Sequence, residues 1–274
     1  MPFVMTPAGR ISYTVIEPAD SVGDSPALLM IMGLAGSGAM WWRLVPHVTR
    51  RYRAIVFDNR GTGRSSPLRT RLTMSDLVRD ALAVLDGAGI QRVHVLGASM
   101  GGMIAQHLAL DHRHRVRSLV LACTTAGGMR EPPNLRVVAS VALRPLIGPE
   151  RSFRLLAPAL YSPRTRIDRR ERLREDMGIR LSDRVGALTA WRQSAAIAGH
   201  DTRLRLHELD GLPTLVLHGL DDRLISPERG RELARLIPGS RFVEIADAGH
   251  MLVTDAEQKV AAAVVDHLDQ AAER

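Results

Sequence analysis

The stretch Gly97-Ala98-Ser99-Met100-Gly101-Gly102 constrains this chain more than any other. Before it stands Arg92-Val93-His94-Val95-Leu96, a short apolar run with β-branched residues at Val93 and Val95, which reads as a buried strand. After it, Met103, Ile104, His107 and Leu108 fall at helical spacing on a helix-forming segment. Ser99 therefore sits where a strand must turn at once into a helix. So tight a turn needs small neighbours, and Gly97 and Gly101 supply them. The turn lifts the serine hydroxyl clear of the sheet and aims the first free N–H groups of the helix at whatever bonds to it. The bland alternative is a glycine-rich helix start in a packed α/β domain, and the remainder of the chain decides between the two.

That remainder alternates strand with helix. Arg10 to Glu17 has an alternating pattern, and continuous apolar runs lie at Ala27–Met32, Tyr52–Asp58, Val116–Ala122, Thr214–His218 and Arg241–Ile245. Between them, Ser75 to Leu85 places apolar residues at 77, 78, 81, 82 and 85, one face of a helix closed by Gly87 and Gly89. Pro227 to Ile237 is a second helix with Ser226 as its expected N-cap, and Ala256 to Ala272 a third. The alternation predicts a mostly parallel sheet covered on both faces, with ligands at the carboxyl ends of its strands. One region breaks the rhythm. Residues 124–199 hold no convincing buried strand but carry Pro132-Pro133, Pro145, Pro149, Pro158 and Pro163 and Arg-rich helical pieces. This reads as a helical insertion over the carboxyl edge of the sheet, within a single domain spanning 1–274 whose core is 1–123 and 200–274.

Charge and cysteine usage narrow the partners. The net charge is +8, from 37 basic and 29 acidic residues, and Lys259 is the only lysine. The arginines are scattered among acids, as in Arg169-Arg170-Glu171-Arg172-Leu173-Arg174-Glu175-Asp176, with no zinc-finger spacing or aromatic RNA-binding pattern. The charge is thus read as solvated surface, with a modest preference for anionic substrates, and neither nucleic acid nor membrane is an expected partner. No apolar stretch approaches the ~20 residues of a membrane span, and residues 1–20 lack a secretion pattern. Cys123, the single cysteine, rules out an internal disulfide and a multi-cysteine metal site, so the chain is expected to be cytoplasmic and to need no metal or cofactor.

A serine hydroxyl becomes a useful nucleophile only with a base in hydrogen-bond reach and a carboxylate to orient that base. Behind a strand–serine–helix elbow the partners follow in the order Ser, acid, His. His250, in Ala246-Asp247-Ala248-Gly249-His250, lies directly after the last strand, at a carboxyl end of the sheet. His94, His107 and His267 fall inside elements and read as structural, His112 and His114 read as surface, and His200 and His207 precede the acid. The acid follows the strand at 214–217, in His218-Gly219-Leu220-Asp221-Asp222-Arg223, where spacing alone leaves Asp221 and Asp222 both open. Acyl chemistry also needs two donors for the developing oxyanion. The N–H of Met100 is one. The loop Met32-Gly33-Leu34-Ala35-Gly36-Ser37-Gly38 offers the other at Leu34, with Gly33 allowing the backbone to turn. A phosphate-binding reading of this loop fails, because it has neither a Lys-Ser/Thr pair nor G-x-G-x-x-G.

Taken with Asp58-Asn59-Arg60-Gly61-Thr62-Gly63-Arg64-Ser65, these stretches stand in one order, and the chain resembles the α/β-hydrolase superfamily along essentially its full length. The resemblance implies an α/β fold with a mostly parallel eight-stranded sheet flanked by helices. It makes 124–199 a helical lid and 58–65 a structural loop beside the site. It places the acid at Asp222, giving Ser99, Asp222 and His250 as catalytic residues and Leu34 and Met100 as the oxyanion donors. The nearest subgroup in pattern holds enol-lactonases, aclacinomycin-type methylesterases and haloperoxidase-like perhydrolases. Many relatives have His-Gly where this chain has Met32-Gly33, which makes the entrance more apolar without removing the backbone donor. Gly33, Trp41 and Met251 are expected to touch substrate; Trp42 and Trp191 are further candidates for the entrance, with packing the alternative role for each tryptophan. The implied activity is a serine hydrolase that cleaves a small-molecule carboxylic ester or lactone through an acyl-enzyme. A C–C bond hydrolase or metabolite cyclase on the same fold, and a catalytically silent ligand-binding protein, are the alternatives. Monomer and homodimer both stay open.

Overall fold

A computed structural model describes residues 2–18, 25–128, 135–183 and 185–273. Its centre is one sheet of eight strands: β1 (Phe3–Thr6), β2 (Gly9–Ile16), β3 (Ala27–Ile31), β4 (Arg53–Phe57), β5 (Val93–Ala98), β6 (Val116–Ala122), β7 (Thr214–Gly219) and β8 (Arg241–Ile245). Their spatial order is β1-β2-β4-β3-β5-β6-β7-β8. The β1–β2 and β2–β4 pairings are antiparallel and every other pairing is parallel. The eight-stranded α/β sheet expected from the resemblance is therefore present. β1 is the strand that the sequence reading did not find. Its four residues alternate between exposed and half-buried, and it exists as the outer arm of a hairpin pairing Phe3 with Ser12 and Thr6 with Gly9. Gly9 takes φ 121° at that turn.

The continuous apolar strands bury both faces. Leu29 and Ile31 of β3 join one core, with Val93, Val95, Leu119, Leu121 and Val216. Leu28 and Met30 of the same strand join the other, with Leu96, Val120, Leu215 and Leu217. Helices α2 (Met74–Gly87), α3 (Met100–Asp111) and α8 (Pro227–Leu236) supply Leu77, Ile104, Leu108 and Leu233 to the first core. Helices α1 (Val45–Val48) and α9 (Leu252–Ala272) supply Val48, Val260, Val264 and Leu268 to the second. α2 begins with a capping box, Thr73 and Asp76 each bonding to the other's backbone. Ser226 stands at the N-cap of α8, but its side chain does not cap the backbone there. α9 starts at Leu252, four residues before the expected start, and is interrupted at Ala256 (φ −139°, ψ 46°).

Between β6 and β7 the described residues form α4 (Leu135–Leu160), kinked at Gly148, α5 (Pro163–Asp168), α6 (Arg170–Ser182) and α7 (Ala187–Ala198). The helical reading of 124–199 holds for these residues; Pro132-Pro133 lies outside the described ones. The insertion is tied to the core by buried polar groups. Tyr161 Oη donates to Asp176 at 3.0 Å and Thr254 Oγ1 donates to the same oxygen at 2.5 Å, while Arg43 pairs with Glu175.

The glycines of the elbow are fixed by sterics. A Cβ on Gly97 would stand 2.3 Å from the Gly101 carbonyl oxygen, and one on Gly101 would stand 2.0 Å from the Ile31 oxygen. Strand β3, strand β5 and helix α3 thus meet backbone to backbone at Ser99. Gly101→Ala is expected to lower stability by about 3 kcal/mol, since overpacking against backbone cannot relax by a rotamer change. Gly178→Ala, in α6 with open space around its Cα, is expected to raise it by roughly 0.5 kcal/mol. Urea unfolding midpoints of the two variants check both signs.

Candidate active site

Ser99 follows β5 in a backbone conformation (φ 55°, ψ −123°) that side-chain-bearing residues rarely adopt. Four hydrogen bonds hold it there. Its N–H donates to Ala122 O at 2.9 Å, and its carbonyl accepts from Thr124 Oγ1 at 2.8 Å, Gly102 N at 2.9 Å and Met103 N at 3.2 Å. The strain is thus held by β6 on one side and by the first turn of α3 on the other. On the β3 side, Gly33 lies so close that a Cβ there would be 3.0 Å from Ser99 Cβ. Gly33 to Gly36 form a turn, closed by Gly36 N donating to Gly33 O at 3.2 Å. The backbone amides of Leu34 and Met100 accordingly belong to the two segments that flank Ser99. The hydrogen bonds of the described residues leave both N–H groups without a protein acceptor.

On the far side of β6, the loop after β7 delivers Asp222, and every lone pair of its carboxylate is spoken for. Oδ1 accepts from Leu224 N at 2.8 Å and Ile225 N at 2.9 Å. Oδ2 faces His250 Nδ1 at 2.8 Å and His218 Nε2 at 3.3 Å. Burial opposes the charge, but the imidazoles of His250 and His218 outweigh it and hold the carboxyl well below the usual range. Asp222 therefore remains ionised at neutral pH. Asp221, the alternative that spacing left open, is engaged through its backbone, its N–H donating to Ala248 O at 2.8 Å. It is Asp222 that reaches His250.

The Asp222 contact fixes the His250 tautomer. A carboxylate oxygen at Nδ1 calls for a hydrogen on Nδ1, which leaves Nε2 as the basic nitrogen. The loop carrying His250 is pinned from beneath. Gly249 N donates to Asp255 Oδ2 at 2.7 Å, Ser162 N donates to the same oxygen at 2.9 Å, and Met251 N donates to Leu160 O at 2.9 Å. Gly249 is required here, because a Cβ would come within 2.8 Å of the Leu160 oxygen. The end of α4 and the His250 loop are therefore one hydrogen-bonded unit. Asp255 turns inward from the first turn of α9, where the helix is distorted. Burial pushes its carboxyl up.

Cys123 connects Ser99 to the acid–base pair. It follows Ala122, the acceptor of Ser99 N–H, and its sulfur, Asp222 and His250 present polar atoms all within 4.8 Å of one another. Burial pushes the thiol well up, so it stays neutral. A metal bound by these three would have to break the Nδ1–carboxylate hydrogen bond and ionise a buried thiol; the site as built is an acid–base pair beside a thiol.

Two contributors escaped the sequence reading. His218 was seen only as part of the acid's motif. Its Nε2 faces Ile225 O at 3.0 Å as well as Asp222, both acceptors, so Nε2 carries the hydrogen and His218 acts as a donor to the acid. Its position four residues ahead of Asp222 was the available signal. Asp255 gave none, since a carboxylate in the first turn of a helix reads as ordinary capping.

The residues expected at the substrate are distributed unevenly. Gly33 borders Ser99, as above. Met251 is half-buried beside the Phe153–Tyr161 cluster, with Arg180 Nη2 3.5 Å from its sulfur. Trp41 departs from expectation: it is 2% exposed and packs with Leu28, Met30 and Leu44 in the second core, because its 3-10 turn faces the sheet. Trp42 stacks on the Arg43 guanidinium at 4.1 Å, and Trp191 is 67% exposed on α7. Trp41 is thus a core residue, while Trp42 and Trp191 are exposed. Among the other histidines, His107 meets His200 at 3.2 Å and His94 meets Ser118 at 2.8 Å, both pairs engaged within the fold.

Residues 26–257 match a family model described as alpha/beta hydrolase fold. A protein of Azorhizobium caulinodans named as a carbamate hydrolase, RutD, is 30% identical over 230 residues, covering 83% of this chain and 85% of its own. The crystal structure of an enol-lactonase from Burkholderia xenovorans superposes with a TM-score of 0.85 at 25% identity, covering 98% of this chain and all (100%) of the other. A thermophilic esterase from Thermogutta terrifontis gives 0.83 at 25% identity, covering 98% of each chain. No helix among the described residues is long and apolar enough to cross a membrane.

Proposed function

The chain belongs to the alpha/beta hydrolase fold family, and from that premise we propose that it is a serine hydrolase cleaving a carboxylic ester or lactone through an acyl-enzyme. One observation carries the reading: the 2.8 Å contact between Asp222 and His250 Nδ1, which leaves Nε2 as the nitrogen that can serve as base to Ser99, the residue at the strained elbow. Ser99 Oγ attacks the substrate carbonyl while His250 Nε2 takes its proton. Asp222 fixes the tautomer and stabilises the imidazolium. The N–H groups of Leu34 and Met100 hold the oxyanion of the tetrahedral intermediate. Collapse expels the alcohol, protonated by His250, and a water activated by the same nitrogen releases the acid and restores Ser99.

A carbamate presents the same carbonyl geometry to the same groups, and the likeness to RutD makes it the second reading. Carbamates are less electrophilic than esters, so a site whose donors wait on a preformed elbow should favour the ester. The test is a substrate panel under one set of conditions: p-nitrophenyl butyrate, a γ-lactone and a phenyl carbamate. Ester or lactone turnover exceeding carbamate turnover is expected. Turnover of the carbamate alone would move the assignment to the second reading, and turnover of none would remove the hydrolase reading for these classes.

A further inference from the structure

We propose that Gln193, on α7 of the insertion, is a positioning residue that sets the oxyanion loop; the inference rests on the serine-hydrolase reading above. Gln193 is fully buried (0% exposed), on the inward face of α7 with Thr189 and Ala196, while Trp191 on the other face stands in solvent. Its Oε1 accepts from Ala35 N at 2.9 Å, and its Nε2 lies 3.4 Å from Arg60 O. Both contacts match one orientation of the amide, an N–H meeting oxygen and an NH2 meeting a carbonyl, so the side chain is read in only one way.

Ala35 is the residue that needs holding. It sits at φ 56°, in the left-handed region that alanine disfavours, and it is the third residue of the Gly33–Gly36 turn. A turn with positive φ at its third position differs from the commoner turn by rotation of its central peptide, here Leu34–Ala35. Without a partner for Ala35 N–H, an alanine gains by letting that peptide rotate to negative φ. The rotation changes Leu34 ψ and swings the Leu34 carbonyl to the opposite side of the turn that carries Leu34 N–H, one of the two oxyanion donors. Gln193 gives the strained form an acceptor buried away from water, which the relaxed form lacks.

The support behind Gln193 is rigid. Arg60, whose carbonyl meets the Gln193 amide, is buried and bonded through Nε and Nη2 to both oxygens of Asp80 at 2.5 Å, and through Nη2 to Asp76 O at 3.2 Å. Arg192 Nη1, next along α7, donates to Leu68 O at 2.6 Å. The insertion thus reaches one oxyanion donor through α7, just as it reaches the His250 loop through Leu160 and Ser162. A helical segment placed as a lid is then part of the apparatus that stabilises the transition state, and removing or opening it costs rate as well as selectivity.

Three proteins test this: wild type, Gln193→Met, which keeps the volume but loses the acceptor, and Gln193→Glu, which, kept neutral by full burial, retains an acceptor for Ala35 N–H and an O–H donor for Arg60 O. With p-nitrophenyl butyrate, Q193M is expected to lose about 30-fold in kcat with KM changed less than threefold, somewhat under the loss from deleting an oxyanion donor outright. Its affinity for a trifluoromethyl ketone should fall in parallel with kcat, and exchange of the Ala35 amide should quicken. Q193E is expected to retain kcat within about fivefold, which separates an acceptor from a packing role. Wild-type kcat in Q193M, or equal changes in kcat and KM together with an equal loss in Q193E, would overturn the proposal. A Ser99→Ala control run alongside distinguishes the two levels. Ester turnover independent of Ser99 strikes the serine reading, whereas Ser99-dependent turnover that ignores Q193M strikes Gln193 alone.

Discussion

Ser99→Ala is expected to lower kcat for the ester by about 10⁵- to 10⁶-fold while leaving the fold intact. The size follows from the loss of the only hydroxyl that the strand–helix elbow presents. Cys123 is the one thiol, but it is buried and burial keeps it neutral, and its own backbone (φ 44°) is held by Cys123 N–H donating to Leu217 O. What survives is the background that the oxyanion donors provide to attack by water. The fold is spared because all the bonds that hold the elbow are backbone bonds or come from Thr124, none from the serine hydroxyl. An unfolding midpoint within about 0.5 kcal/mol of wild type is therefore expected. Steady-state kinetics with enough enzyme to detect the residual rate, together with a urea titration, checks both halves.

Asp222→Asn is expected to cost about 10⁴-fold in kcat, and the geometry says why the isosteric change is so severe. The backbone N–H groups of Leu224 and Ile225 both point at Oδ1. An asparagine must keep its carbonyl oxygen there, so its NH2 is forced to face His250 and His218. The NH2 then donates to His250 Nδ1, which must become an acceptor, and the ring hydrogen moves to Nε2. A base with its hydrogen on the wrong nitrogen cannot take the Ser99 proton. His218, whose Nε2–H is shared between Ile225 O and the carboxylate, meets a donor where the carboxylate stood and keeps Ile225 O alone. Asp222→Glu should not restore the rate, because the longer carboxylate cannot hold the Oδ1 bonds and reach His250 at once. The loss should appear in kcat with little change in KM, and imidazole proton resonances would report the displaced ring hydrogen directly.

How much of this was open to a reader of the sequence alone follows from the kind of information each feature needs. The sheet was legible because parallel strands buried on both faces are continuous apolar runs, and Ala27–Ile31 or Val93–Ala98 look like nothing else. β1 was not, because four residues on a sheet edge, half of them exposed, have no pattern longer than chance. The elbow at Ser99 was legible because the glycines around it answer a steric demand, and the loop position of His250 because it falls directly after a strand. The choice between Asp221 and Asp222 is a matter of which side chain turns toward the imidazole, and one residue of spacing carries no such sign. His218, Asp255 and Gln193 act by direction rather than by type. Each is an ordinary polar residue on a strand or helix until the fold turns it inward. For Trp41 a large aromatic near a glycine-rich loop suggests an entrance or packing, and the turn that packs onto the sheet takes the ring into the core.

The account rests on Ser99 being the one activated hydroxyl, with His250 as its base. Intact-protein and peptide mass spectrometry after treatment with a fluorophosphonate tests this most directly. One adduct per chain is expected, located on the peptide that carries Ser99, and formation of that adduct should fall by at least a hundredfold in His250→Ala and vanish in Ser99→Ala. Labelling of another residue, or labelling of Ser99 at the same rate without His250, would contradict it.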